Sequence, residues 1–132
     1  MFDMGGTATG ALPKPLVIAN AAAAALSTAS CAAGLINPGL GLPKEEPVTE
    51  DVRFYAKAYA ARALPLGAVL LHQLVRGRGG PALLAVLLLA GAVQAGDAAI
   101  GVRTRNRGMA LGAGALALLH LEAARRVAGR VR

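Results

Sequence analysis

The sequence contains few of the residues that build soluble cores or reactive centres. Its 132 residues include two Phe, two Tyr, no Trp and a single cysteine, Cys31. One cysteine excludes an internal disulfide and any thiol enzyme that needs a CxxC pair. The two histidines form no HxxxH or HExxH spacing, so we expect no metal site. Without a P-loop or a nucleophile elbow, we expect no cofactor either.

Charge is also missing from long parts of the chain. No charged residue occurs from Pro15 to Pro43 or from Pro81 to Gly96, and 55% of all residues are hydrophobic. Because a helix needs roughly 20 mostly apolar residues to span a bilayer, the sequence predicts an integral membrane protein in contact with lipid. The net charge of +7 comes from Lys and Arg that flank the apolar segments, where anionic lipid headgroups favour them. This placement argues against nucleic-acid binding.

The hydropathy pattern predicts an all-α bundle of four transmembrane helices with antiparallel, up-down connections. The predicted spans are Leu16–Ile36, Phe54–Val75, Pro81–Val102 and Gly108–Leu121. The fourth is short and reaches membrane length only if Glu122, Arg125 and Arg126 lie at the interface. Pro65 predicts a kink in the second helix, and the Gly-rich sequence at 76–80 predicts a tight hairpin turn.

The same pattern divides the chain into a mobile N-terminal segment (1–15), one four-helix membrane domain (16–127) and a basic C-terminal tail (128–132). An even number of spans puts both termini on one side of the membrane. That side carries slightly more Lys and Arg than the other. The positive-inside rule therefore predicts a multi-pass protein of the cell (plasma or inner) membrane with cytoplasmic termini.

Two charged residues, Arg62 and Asp97, fall deep inside predicted spans, whereas Lys57 lies in the first turn of its span. They lie roughly 20 and 24 Å from the hairpin turn at 1.5 Å per residue, and so at similar depth on adjacent helices. Because an isolated charge near the bilayer centre costs on the order of 3 kcal/mol, we predict an intramembrane ion pair between them. Helical spacing places Tyr55 and Tyr59 on the Arg62 face and Gln94 on the Asp97 face. These five residues form the predicted polar centre.

Two interpretations of this centre stay open. The pair can fix the register of two helices. Alternatively, Arg62 holds an anionic or carbonyl group in a pocket while Asp97 or Tyr59 moves a proton. A second polar layer nearer the termini comprises Asn20, His72, His120 and Glu122.

Small residues predict faces of close helix packing. They recur at Ala21, Ala25, Ala29 and Ala33, and again at Gly108 and Gly112. Such spacing lets a second backbone approach closely. The partner helix lies either within the bundle, in a second copy of the chain as a homo-oligomer, or in another protein.

Four segments together resemble a known group of proteins. They are GLINPGLGLP, FYAKAYAARALPLG, a Leu/Ala helix ending in AGD, and a Gly/Ala-rich helix with a histidine. Their order, over about residues 30–125, resembles small four-helix integral membrane proteins catalogued as a domain of unknown function, and loosely DoxX-like proteins. The resemblance implies the same topology and puts Arg62 and Asp97 in the family's polar positions, although Ala63 replaces an acidic residue. It implies no established activity.

Three classes of function remain open. The chain is expected to be an accessory or structural membrane protein, or one that binds a lipophilic small molecule. The alternative is a cofactor-free membrane enzyme, an isomerase or cyclase acting on a lipophilic substrate by acid–base chemistry. A small transporter is disfavoured because the first helix carries no charge and no inverted repeat is visible. A sealed ion pair favours the accessory role, a lipid-accessible cavity at the pair favours the enzyme, and a path opening alternately to both sides favours transport.

Overall fold

The computed structural model describes residues 12–77 and 79–131, and within these ranges it is all-helical without a strand. Its α-helices are α1 (Lys14–Ile36), α2 (Glu50–Arg76), α3 (Pro81–Arg103) and α4 (Arg107–Val131). A single 3-10 turn, Pro38–Gly41, follows α1. The prediction of four helices is therefore confirmed. Most of the predicted N-terminal segment lies outside the described residues, and α4 continues to Val131, through the predicted tail.

The helix ends follow from local sequence signals. Thr49 caps α2, because its hydroxyl accepts a hydrogen bond from the Val52 amide at 3.3 Å. The side chain of Asn106 caps α4 in the same way, accepting from the Met109 amide at 3.0 Å. Helix α2 ends at Gly77, which has the left-handed φ of 63° that favours glycine. Helix α3 then begins at Pro81.

Among the described helices, α1, α2 and α3 are long and apolar enough to cross a membrane. Helix α4 is as long as these, but charged residues interrupt its apolar sequence from Glu122 onwards. Large apolar side chains lie exposed along all four helices, among them Ile18, Val69, Leu89 and Leu118. This distribution is typical of a bundle whose surroundings are themselves apolar.

The apolar core lies in the half of the bundle nearest the described chain ends. Leu74 near the end of α2, Leu83 and Leu87 near the start of α3, and Val127 near the end of α4 are all almost fully buried. Helix α3 packs most extensively on α4, and α1 packs most extensively on α2. The opposite half, toward the 3-10 turn, contains Tyr59 and Asp97.

Two glycines allow the closest helix contacts. A Cβ atom at Gly67 of α2 would collide with the hydroxyl of Thr28 on α1. A Cβ atom at Gly101 of α3 would lie 2.5 Å from the backbone nitrogen of Ala110 on α4. Glycine at these positions therefore sets the separation of α1 from α2 and of α3 from α4.

The small-residue faces predicted from sequence pack only in part, since Ala21 lies against the apolar core. Ala25 and Ala29 are exposed on α1. Within the described residues, a Cβ atom at Gly112 would meet nothing within 4 Å, and one at Gly108 would meet only the side chain of Asn106. The bundle instead buries Asn20, Ala23, Ala24 and Cys31 of α1. Self-association through the exposed small faces stays a prediction.

The turn between α3 and α4 contains a residue in an unfavourable conformation. Arg105 has a φ of 58°, and its amide donates to the Val102 carbonyl at 3.2 Å while the Asn106 amide donates to the Gly101 carbonyl at 2.8 Å. This is a Schellman motif, whose left-handed position glycine usually occupies.

We expect Arg105→Gly to raise the free energy of unfolding by about 0.5–1 kcal/mol, because glycine adopts a left-handed φ without a Cβ clash. Thermal unfolding of the purified protein in detergent measures the change. The matched control is Arg103→Gly in the last turn of α3. It should lower the free energy of unfolding by a similar amount, because glycine has a low helix propensity. A loss of stability in both variants would contradict the expectation.

Candidate functional site

A hydrogen bond between Tyr59 of α2 and Asp97 of α3 is the centre of the candidate site. The Tyr59 hydroxyl donates to Oδ2 of Asp97 at 3.1 Å. Asp97 is half-buried, whereas Tyr59 retains 42% of its exposure. Because this hydrogen bond uses only Oδ2, the other carboxylate oxygen, Oδ1, stays available to another donor.

The predicted ion pair between Arg62 and Asp97 is not confirmed. The ion pairs formed by the described residues include Arg53–Glu50, Arg125–Glu122 and Arg126–Glu122. Arg62 is exposed on α2, and the carboxylate is bonded to Tyr59 one turn earlier. An exposed arginine can extend along the helix toward the membrane interface, which lowers the cost of leaving it unneutralised.

The other predicted members of the polar centre have separate partners. Gln94 of α3 reaches α1, where its Nε2 donates to the Ser27 hydroxyl at 3.2 Å. Tyr55 is exposed, and its ring packs edge-on against Phe54 with centroids 5.7 Å apart. Gln94 is therefore paired with Ser27 of α1 rather than with Asp97, and Tyr55 packs against Phe54.

Of the second polar layer, the structure brings together Asn20 and His120. Asn20 Nδ2 donates to the Leu16 carbonyl at 2.9 Å, which leaves Oδ1 to face His120 Nδ1 at 2.8 Å. Since Oδ1 can only accept, Nδ1 is the donor, and Nε2 of the neutral ring carries a lone pair. Both side chains are almost completely buried. His72, by contrast, is exposed.

Glu122 belongs to a charged cluster at the end of α4. Arg125 donates to both of its carboxylate oxygens at 2.8 and 2.9 Å, and Arg126 donates to one of them at 2.6 Å. These hydrogen bonds lower the pKa of Glu122 to about 2. The carboxylate is therefore ionised throughout the physiological range, which suits a headgroup or aqueous position.

Three cavities meet at Tyr59. The central cavity, about 560 Å³, opens beside the 3-10 turn and is lined by Tyr59, Asp97, Ser27, Gln94 and Cys31 among others. The lateral cavity, about 320 Å³, lies between α2 and α3. Its lining consists of Tyr59, Arg62, Ala63, Val93, Asp97 and Ile100. Tyr59 and Asp97 thus form a wall shared by the central and lateral cavities.

The third, or inner, cavity is far smaller, about 40 Å³, and lies deeper in the bundle. Its polar lining residues are Ser27, Thr28, Tyr59, Gln94 and His120. It therefore connects the layer of Tyr59 with the buried His120 near the apolar core. A separate cavity of about 400 Å³ near Lys14 and Leu83 contains neither of the hydrogen-bonded pairs and is not part of this site.

Ser27 and Thr28 were missed by sequence reasoning. They belong to the short sequence STAS in an otherwise Ala/Leu-rich helix, and that local polarity was the available signal. Thr28 bonds back to the Ala24 carbonyl at 2.7 Å, a frequent solution for threonine within helices. Comparisons with protein-family models, with curated proteins and with solved structures find no match.

The missing ion pair has a measurable consequence. Arg62→Met and Asp97→Leu are expected to change stability additively, with a coupling below about 0.5 kcal/mol, because the two side chains form no ion pair. A double-mutant cycle on unfolding in detergent gives the coupling. The reference cycle uses Tyr59→Phe with Asp97→Leu, for which we expect about 0.5–1.5 kcal/mol. A larger coupling for the arginine pair than for the tyrosine pair would refute the expectation.

Proposed function

We propose that this chain is a multi-pass integral membrane protein that binds a lipophilic small molecule at the centre formed by Tyr59 and Asp97. In this proposal α4 is a fourth, shorter span over residues 108–121, with Glu122 at the interface. Both termini then lie on one side, which the balance of Lys and Arg puts in the cytoplasm. Phenol, carboxylate and amide groups in a mostly apolar cavity are typical of small-molecule sites.

One observation carries this proposal: the Tyr59–Asp97 hydrogen bond forms the wall between two cavities. A pair that served only to clamp helices would be sealed by packing, since each unsatisfied polar atom in apolar surroundings lowers stability. Here Asp97 borders both the central and the lateral cavity. The lateral cavity adds Arg62 and lies between two helices that are apolar enough to face lipid, which supports entry from the bilayer.

The test is whether the purified protein retains a lipophilic molecule through these groups. Native mass spectrometry of the wild type released from lipid nanodiscs should detect a bound small molecule, and Asp97→Asn with Tyr59→Phe should lose it. The control is Leu118→Ala, which removes an exposed apolar side chain of α4 away from the cavities. Equal retention by the double variant and the control would overturn the proposal.

A second candidate is a cofactor-free isomerase or cyclase, favoured by the hydrogen that Tyr59 and Asp97 share. A carboxylate beside a phenol can remove and return a proton on a substrate in a water-poor pocket. Incubation of the reconstituted protein with a lipid extract in D₂O would then place deuterium at one carbon of a lipophile. Asp97→Asn should abolish this incorporation. If the protein only binds the lipophile, neither the wild type nor the variant incorporates deuterium.

Transport is less well supported. The inner cavity ends at His120, and the packed side chains of Leu70, Leu74 and Leu87 separate this level from the described chain ends. A carrier also needs a second state that opens on that side. The packed core of the four helices offers no paired broken helices that would provide one.

A further inference from the structure

The buried His120 has one polar atom that the fold does not use. Its Nδ1 is bonded to Asn20, which is itself held by the Leu16 carbonyl. Every side-chain nitrogen or oxygen of the described residues that is sealed from open space has a hydrogen-bond partner. Nε2 has no such partner, so it borders open space, and His120 lines the inner cavity. Nε2 therefore serves as an acceptor toward that cavity. A clamp between α1 and α4 requires Nδ1 alone.

Ser27 supplies the complementary group. Its oxygen accepts from Gln94 Nε2, which leaves the hydroxyl hydrogen as the donor of that side chain. Ser27 and Gln94 line both the central and the inner cavity. Among the polar groups that a ligand entering from the central cavity meets, Ser27 supplies a donor and His120 an acceptor.

The size and charge of the inner cavity limit what can enter. A volume of about 40 Å³ holds about three groups of the size of a water molecule, since one water needs about 10–15 Å³. None of the described residues that line it is charged. Carboxylate, phosphate and ammonium groups are disfavoured there, because nothing neutralises them.

We propose that the inner cavity is the headgroup subsite for a lipophilic alcohol. The hydroxyl of the alcohol donates to His120 Nε2 and accepts from the Ser27 hydroxyl, while its apolar body lies in the central cavity beside Tyr59. This inference rests on the proposed ligand-binding function and adds the chemical class of the ligand. Asn20 acts as a positioning residue that orients the imidazole.

The experiment is NMR spectroscopy of the full chain in lipid nanodiscs, with labels on the histidines and on the tyrosines. The chain has two histidines and two tyrosines, so histidine labelled with ¹⁵N at Nε2 and 3-fluorotyrosine each give two signals. Exposed His72 and Tyr55 are the internal references. The probes for the titration are 1-dodecanol, dodecane and dodecyltrimethylammonium. They have the same alkyl chain length and differ in the headgroup, which is a hydroxyl, absent and a cation, respectively.

We expect 1-dodecanol to shift both the Nε2 signal of His120 and the fluorine signal of Tyr59, with the two references unchanged. Dodecane should shift Tyr59 alone. Ser27→Ala should weaken the 1-dodecanol response of His120 by up to about tenfold, since one neutral hydrogen bond is lost. This variant keeps the Asn20–His120 pair and so should remain folded.

Other outcomes separate the two proposals. If a probe shifts Tyr59 but 1-dodecanol leaves His120 unchanged, the cavity binds lipophiles, whereas the alcohol subsite is refuted and water is the occupant of the inner cavity. A His120 shift with dodecyltrimethylammonium equal to that with 1-dodecanol refutes the hydroxyl selectivity. If no probe shifts Tyr59 or His120, both the binding function and the subsite are overturned.

Discussion

Replacing Gly101 with alanine is expected to lower the free energy of unfolding by about 1–3 kcal/mol, although the change adds only one methyl group. The new Cβ would lie 2.5 Å from the backbone nitrogen of Ala110 and 2.9 Å from its Cα. Backbone atoms cannot rotate aside as a side chain can. The α3–α4 hairpin must therefore separate, and this is the most extensive helix contact of the bundle.

The matched control for this prediction lies in the same helix. A Cβ atom at Gly96 would meet nothing within 4 Å among the described residues. Gly96→Ala should therefore stabilise α3 by about 0.5–1 kcal/mol through helix propensity. Thermal or denaturant unfolding in detergent gives both values. If both alanine variants changed the free energy of unfolding in the same direction, the close contact of Gly101 with α4 would be contradicted.

The second large effect is expected at Asn20 and His120. His120→Leu leaves Asn20 Oδ1 buried without its donor, and Asn20→Leu leaves His120 Nδ1 without its acceptor. Each single change should cost about 2–3 kcal/mol, because the remaining polar group has no water to replace its partner. The double variant, with leucine at both positions, should recover part of the loss.

A double-mutant cycle on unfolding measures this recovery as a coupling of about 1–2 kcal/mol. The half-buried Gln94 and Ser27 provide the comparison cycle, with Gln94→Leu and Ser27→Ala. We expect a smaller coupling there, since water can reach the central cavity that both residues line. Additive effects at Asn20 and His120 would show that the bond between α1 and α4 does not contribute to stability.

The helices could be predicted from sequence because their signals are local. Uncharged apolar sequence and the glycines after Arg76 each act within a few residues. The exact limits differ by a few residues, as in α2, which begins at Glu50 rather than at Phe54. The extra turn is polar, and hydropathy alone does not register it.

The site could be predicted only in part. Helical spacing put Tyr59, Arg62 and Asp97 at one depth, and all three line the lateral cavity. The choice of partner did not follow, because spacing gives the face of a helix but neither its rotation against a neighbour nor the direction of a long side chain. Thus Asp97 is bonded to Tyr59 instead of Arg62.

Pairs of residues that are far apart in the chain could not be predicted from the sequence either. Asn20 and His120 are separated by most of the chain, and each alone fits an ordinary interfacial side chain. Nothing in the sequence relates the two positions until α1 and α4 are packed together. The same holds for Gly67 and Gly101, which pack closely, whereas the more regular pair Gly108 and Gly112 does not.

By itself, the sequence determined the number of helices, their order and the apolar character of three of them, since these depend on composition and on hydrogen bonds within each helix. Tertiary structure alone decided which polar groups meet, where the cavities lie and which glycines permit contact. Those properties depend on the rotation and separation of whole helices. Packing sets both through interactions between residues far apart in the chain.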